Sequence, residues 1–110
     1  MKYPKTIQIG AHNYKVEINP HSAFVDNMCR YAGRHDYNNL QIGVAIRDQL
    51  GGLQCESVTN ACFWHEVTHA VSQNFSLELE DKVVECIGQG ITQALSSMGI
   101  KVVEYEESDA

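Results

Sequence analysis

Residues 63 to 71 read Phe-Trp-His-Glu-Val-Thr-His-Ala-Val, and this stretch constrains the chain more than any other. Its His-Glu-x-x-His core has a chemistry only if it is helical. On an α-helix, residues four apart project from one face one turn apart, so His65 and His69 can hold one ion between two imidazoles. Glu66 lies roughly 100° round the helix from His65, beside such an ion rather than on it. A Zn²⁺ held this way keeps room for a water, lowers the pKa of that water toward about 7, and leaves Glu66 to take its proton. The competing interpretation is a helix with two exposed histidines.

The surrounding pattern supports a helix. It starts between Gln54 and Thr59, runs to about Asn74, and carries apolar residues at Val58, Ala61, Cys62, Phe63, Val67, Ala70 and Val71. That stripe is broader than a surface helix needs, which predicts packing on both a sheet and a second helix. Glu80-Asp81 opens the second helix and Gly99 closes it. Its predicted core stripe is Val84, Ile87, Ile91, Ala94, Leu95 and Met98, with Glu85, Gly88 and Thr92 in a second line beside it. Gly88 and Gly90 each cost roughly 1 kcal/mol against Ala in a helix interior, so close approach to the motif helix is the expected return. Such an approach carries Glu85 toward His65 and His69. No histidine follows His69, and His₂Glu is an established catalytic zinc shell, so Glu85 is the expected third ligand.

The first half reads as sheet. Thr6-Ile7-Gln8-Ile9 and Tyr14-Lys15-Val16-Glu17-Ile18 alternate apolar and polar residues around a loop at Gly10 to Asn13, which predicts a β-hairpin. Asn19-Pro20-His21-Ser22 ends the second strand, and Ala23 to Arg30 fits either a short strand or a helical turn. Leu40 to Ile46 is the clearest remaining strand. If it pairs with the segment around Tyr31, the half forms a small antiparallel sheet that needs a cover on one face. The fold class expected is therefore α+β: an antiparallel N-terminal sheet packed on two antiparallel helices. Its layout is a single domain over residues 1–110, mostly sheet over 1–53, helices over 54–74 and 80–98, and an acidic tail over 104–110.

Charge and cysteine content narrow the setting. Net charge is −6, but four acids (Glu104, Glu106, Glu107 and Asp109) crowd the last seven residues, leaving −2 for the remainder. This balance argues against nucleic-acid binding through bulk charge; Ile100 to Tyr105 reads as a short strand or an ordered tail, after which the acids are expected to fray in solvent. No apolar run approaches the roughly 18 residues of a membrane span, and the Met-Lys-Tyr-Pro start lacks a signal-peptide core, so a cytoplasmic protein is expected. Cys29, Cys55, Cys62 and Cys86 form no C-x-x-C pair and read as reduced thiols.

His65-Glu66-Val67-Thr68-His69-Ala70, followed by Val83-Val84-Glu85-Cys86-Ile87-Gly88-Gln89-Gly90-Ile91, resembles the glutamate-zincin (gluzincin) pattern. The likeness is greatest to the minimal versions in ImmA/IrrE-type metallopeptidases and in short phage and prophage proteins. It covers about a third of the chain closely. The resemblance implies zinc, peptide hydrolysis, a cytosolic location and a phage or mobile-element setting. The longer pattern with a third histidine is excluded, since Ser72 and Phe75 stand where it needs Gly and His.

Two functions follow from different classes. In the first, a zinc metallopeptidase, His65, His69 and Glu85 hold the metal and Glu66 is the general base. A peptide or protein substrate then adds to the sheet edge along Leu40–Ile46, with Arg34, His35, Tyr31 or Tyr37 facing the developing oxyanion. In the second, an interaction protein without activity, the metal staples a small core, and Cys62 or Cys55 closes the fourth position. A cysteine third ligand, as in peptide deformylases, places Cys55 upstream in the required order. Either function leaves room for a protein partner.

Overall fold

The computed structural model describes residues 1–19, 24–26, 29–31, 33–48 and 50–110. Strands β1 (Thr6–Ile9) and β2 (His12–Asn19) form the predicted hairpin. Its turn is tighter than expected, because Gly10 takes φ +61° and the second strand already begins at His12. Two short strands, β3 (Phe24–Asp26) and β4 (Cys29–Tyr31), make a separate antiparallel ladder, so the described residues of the ambiguous segment are strand. The break expected at Pro20–Ser22 lies outside the described residues. Strands β5 (Gly33–Asp36) and β6 (Gln41–Ala45) follow, joined by a turn in which Asn39 donates its backbone N–H and its side-chain Nδ2 to Asp36.

The sheet is mixed, which corrects the antiparallel expectation. Its strand order is β1-β2-β6-β5, with β6 parallel to β2 and antiparallel to β5. The physical reason lies in β6 itself. Ile42, Gly43, Val44 and Ala45 are all buried, the near-continuous burial of a central strand covered on both sides. Hydrogen-bonded on both flanks, β6 has no open edge, so the expectation that a peptide adds along Leu40–Ile46 is also corrected. Among the described residues the edge nearest the helices is β5.

Helix α1 (Glu56–Asn74) lies across β5 and β6, and α2 (Asp81–Ser97) packs on α1. Tyr14, Val16 and Ile18 alternate inward from β2 to meet Ile42, Val44, Phe63, Val67 and Ala70 in one core. Contacts between the helices run His69 to Asp81, His65 to Glu85 and Trp64 to Gly88, so the two are antiparallel. Gly88 has the expected role: a Cβ there would lie 2.9 Å from the His65 nitrogen and 3.0 Å from its Cα. Gly90 does not, since nothing lies within 4 Å of its Cβ position. The predicted α2 stripe is buried only in part. Val84 is fully covered, whereas Ile87 and Met98 remain 38% and 63% exposed. Among the described elements the helix packs chiefly on α1, so a narrow line through Val84 and Gly88 suffices.

The acidic end does not fray. Val103 is fully buried, and Asn60 holds this segment by accepting the Val102 and Val103 N–H groups and donating to the Val103 carbonyl. Glu56 accepts from the Tyr105 N–H and pairs with Lys101. Residues Glu107–Asp109 form a 3₁₀ turn closed by a reciprocal capping box with Glu106. Glu106 and Asp109 also pair with the Met1 amino group, contacts that charge counting cannot see. Among the described residues, no helix is long and apolar enough to cross a membrane.

Candidate functional site

The motif residues all fall on α1, where side-chain periodicity sends them in two directions. Glu66 points toward the sheet with Phe63, Val67 and Ala70 and is 8% exposed, while His65 and His69 face α2 half-buried. The two imidazoles meet edge to face with Nε2 atoms 3.1 Å apart. Two nitrogens each 2.0–2.1 Å from a tetrahedral zinc stand about 3.3 Å apart, so this pair fits a shared ion.

The carboxylates of α2 approach the pair from different sides. Glu85 Oε2 lies 2.7 Å from His65 Nδ1, the nitrogen turned away from His69. That oxygen sits off the ring N–H axis, so the contact is close without being a hydrogen bond, and Nδ1 is otherwise buried and unpaired. Asp81 Oδ1 lies 3.9 Å from His69 Nε2. Its side chain is 96% exposed, in keeping with its place at the start of α2, one turn before Glu85 on the same face. Among the described residues no group of three donors is already drawn onto one point. The donor chemistry nonetheless suits zinc: two imidazole nitrogens at ligand spacing, with two solvent-exposed carboxylates beside them, of which Glu85 accepts a hydrogen bond from Gln89 Nε2 at 2.7 Å.

Glu66 is set against the edge strand. A Cβ on Gly33 would lie 3.1 Å from Cγ and Oε2 of Glu66 and from the Gly43 carbonyl oxygen, so a side chain there would crowd the carboxylate. Burial, then the nearby Glu85 charge, pushes the Glu66 carboxyl up to about 7. A cleft of about 360 Å³ opens here, lined by Gly33, Ala61, Cys62, His65, Glu66 and Glu85. Its neighbour, about 450 Å³, is lined by His35, His69, Ser72, Ser76, Glu78 and Asp81. Burial lowers the pKa of both His69 and His35, and each is further lowered by a neighbouring histidine. A more enclosed space of about 250 Å³, bordered by Glu56, Trp64, Leu95 and Lys101, lies elsewhere. It holds no histidine or cysteine.

Neither cysteine alternative gains from this geometry. Cys55 precedes the first turn of α1, about 15 Å along the helix from His65 at 1.5 Å per residue. Cys62 lines the cleft, but burial and the charges of Glu66 and Glu85 push its thiol up to about 11, which keeps it protonated in the metal-free protein. Of the residues considered for the oxyanion, Arg34 alternates to the opposite face of β5 from Gly33 and His35. Tyr37 follows the strand and is 40% exposed, and the Tyr31 side chain lies outside the described residues. Of these four, His35 lines the second cleft, together with His69.

The raised Glu66 pKa carries a consequence for stability. Ionisation favours the unfolded chain, where the carboxyl returns to its ordinary 4.5. The contribution is therefore complete below about pH 4.5 and is lost as pH rises through about 7, on the order of 2–3 kcal/mol in all. The histidine shifts run the other way, favouring the fold as pH rises. The effect is thus read as a difference: metal-free Glu66→Gln should gain on the wild type in thermal unfolding between pH 5 and 8. Parallel curves for the two proteins would refute it.

No family model, curated protein or solved structure matches this chain.

Proposed function

We propose that the protein is a zinc-dependent peptidase of minimal gluzincin type. One observation carries this reading: two imidazole nitrogens 3.1 Å apart on a helix whose buried Glu66 carboxylate is set against β5, the edge strand among the described residues. A helix that merely displayed two histidines has no need for that juxtaposition.

His65 and His69 hold the metal, completed by an α2 carboxylate, with Glu85 in that place as the gluzincin pattern implies. Bound zinc supplies Lewis acidity toward a water and a substrate carbonyl. The remaining work belongs to the chain. An extended peptide adds as a further strand along β5, Gly33 to Asp36, its backbone matched by the strand's unused edge groups. Gly33 brings that backbone within reach of Glu66. The Glu66 carboxylate then takes the proton of the attacking water and delivers it to the leaving amine; a carboxyl with a pKa near 7 is suited to both.

Metal binding is the first test. Zinc titrated into metal-free protein is expected to bind at one per chain and to raise the unfolding temperature. His65→Ala and His69→Ala should each weaken binding at least about 10-fold, the scale on which even supporting residues act. Unchanged zinc affinity in both variants would remove the basis of the proposal.

A further inference from the structure

The hydrogen-bond chain behind the cleft fixes where one proton sits. It starts at the last turn of α1, where the Asn74 side chain donates Nδ2–H to the Ala70 carbonyl at 2.7 Å. A carbonyl can only accept, so the group facing it is the amide NH₂ and not the amide oxygen. The same Nδ2 reaches the Tyr14 hydroxyl at 2.8 Å, and it too can only donate there. Tyr14 is fully buried, and its hydroxyl has one other partner among the described residues, His35 Nε2 at 3.1 Å. If His35 donated to this oxygen, the tyrosine hydrogen would be buried without an acceptor, at a cost of about 1–3 kcal/mol. Tyr14 therefore donates to Nε2, and neutral His35 carries its proton on Nδ1.

That nitrogen makes no hydrogen bond among the described residues and is not buried, and the ring lines the second cleft together with His69, on the far side of the histidine pair from the cleft that Glu66 lines. We infer that His35 is a catalytic residue of the proposed peptidase: its Nδ1–H donates to the oxyanion formed as water adds to the scissile carbonyl. Tyr14 and Asn74 are positioning residues that hold the tautomer. The inference rests on the peptidase reading and adds the electrophilic partner that reading lacks.

The step balances with residues on hand. A water oxygen bonds to the carbonyl carbon as Glu66 takes the water proton, and the C=O π pair moves onto oxygen. The oxyanion accepts the Nδ1–H hydrogen bond without taking its proton. Collapse re-forms C=O and breaks C–N, and the amine leaves with the proton held by Glu66. Placed on a strand rather than a loop, His35 meets the charge with little reorganisation.

Two measurements test this. Long-range ¹H–¹⁵N spectra of the metal-free wild type should show His35 protonated at Nδ1, with Tyr14→Phe mixing the two tautomers. A ring protonated at Nε2 in the wild type overturns the inference whatever the activity. With zinc restored, the wild type, His35→Phe, His35→Asn and Tyr14→Phe are compared on the fastest-cleaved member of a random decapeptide library. His35→Phe should lose about 10²-fold in kcat with KM and zinc content little changed, the scale of one lost oxyanion donor. His35→Asn, which keeps an N–H donor, should recover part of that loss, and Tyr14→Phe should fall between. Equal kcat in wild type and His35→Phe overturns the role of His35 while leaving the peptidase standing. A zinc-loaded wild type that cleaves no library member overturns the peptidase, and the role of His35 with it.

Discussion

Zinc-loaded Glu66→Gln protein is expected to keep its fold and one zinc per chain while losing at least about 10²-fold in kcat for peptide cleavage. Glutamine preserves the size of the side chain and its contact with Gly33, where a Cβ would stand only 3.1 Å away. It removes the buried carboxylate that lines the cleft beside His65 and is assigned the water proton. The same substitution relieves the metal-free protein of a buried carboxylate, so its unfolding temperature at neutral pH should rise as its activity falls. Opposite movements of stability and rate distinguish a functional carboxylate from a structural one. Parallel kinetic measurements on the two proteins, with zinc determined in both, provide the check; equal rates would remove Glu66 from the chemistry.

Gly88→Ala is the second large effect. The added methyl would lie 2.9 Å from the His65 nitrogen and 3.0 Å from its Cα, both backbone atoms that cannot rotate away. The helices must separate, at a cost of about 1–3 kcal/mol, or roughly 8 °C in unfolding temperature for a domain of this size. Because α2 also carries Asp81 and Glu85, the displacement should weaken zinc binding in a variant that alters no donor. Gly90→Ala is the matched control. Its Cβ meets nothing within 4 Å, so it should stabilise the helix by about 0.5–1 kcal/mol and leave zinc affinity unchanged. Thermal unfolding with and without zinc reads both, and identical behaviour of the two variants would refute the close approach.

The contrast between these glycines shows how far the sequence was legible. Both stood out as costly in a helix, but periodicity cannot tell which one a neighbouring backbone crosses. The two helices, their antiparallel return and the hairpin were readable because each is encoded locally, by spacing, turn residues and a closing Gly99. The position of β6 was not. Leu40 to Ile46 alternates like an edge strand, and only pairing with β2 on one side and β5 on the other makes it central. The acids after Tyr105 were misjudged for a similar reason, since the Met1 amino group and Arg47 supply their partners from far along the chain.

The candidate site divides in the same way. His65, Glu66 and His69 are fixed relative to one another by a single helix, so the sequence suffices to place them. Glu85 arrives beside His65 as expected, yet on its Nδ1 side, and Asp81 reaches His69 from the turn before. Those distances depend on how α2 is set against α1, which the sequence specifies only through Gly88. His35 appeared merely as one of four oxyanion possibilities. Strand alternation in β5 and the buried Tyr14 hydroxyl are what separate it from Arg34 and Tyr37.

The most direct measurement is cleavage of a random peptide library by the metal-free protein, by the protein given one equivalent of zinc, and by the zinc protein treated with chelator. The expected result is cleavage only in the second sample, at internal peptide bonds, reversed by the chelator. A protein that binds one zinc at His65 and His69 and cleaves nothing, or one that cleaves equally with its zinc removed, would contradict a zinc peptidase.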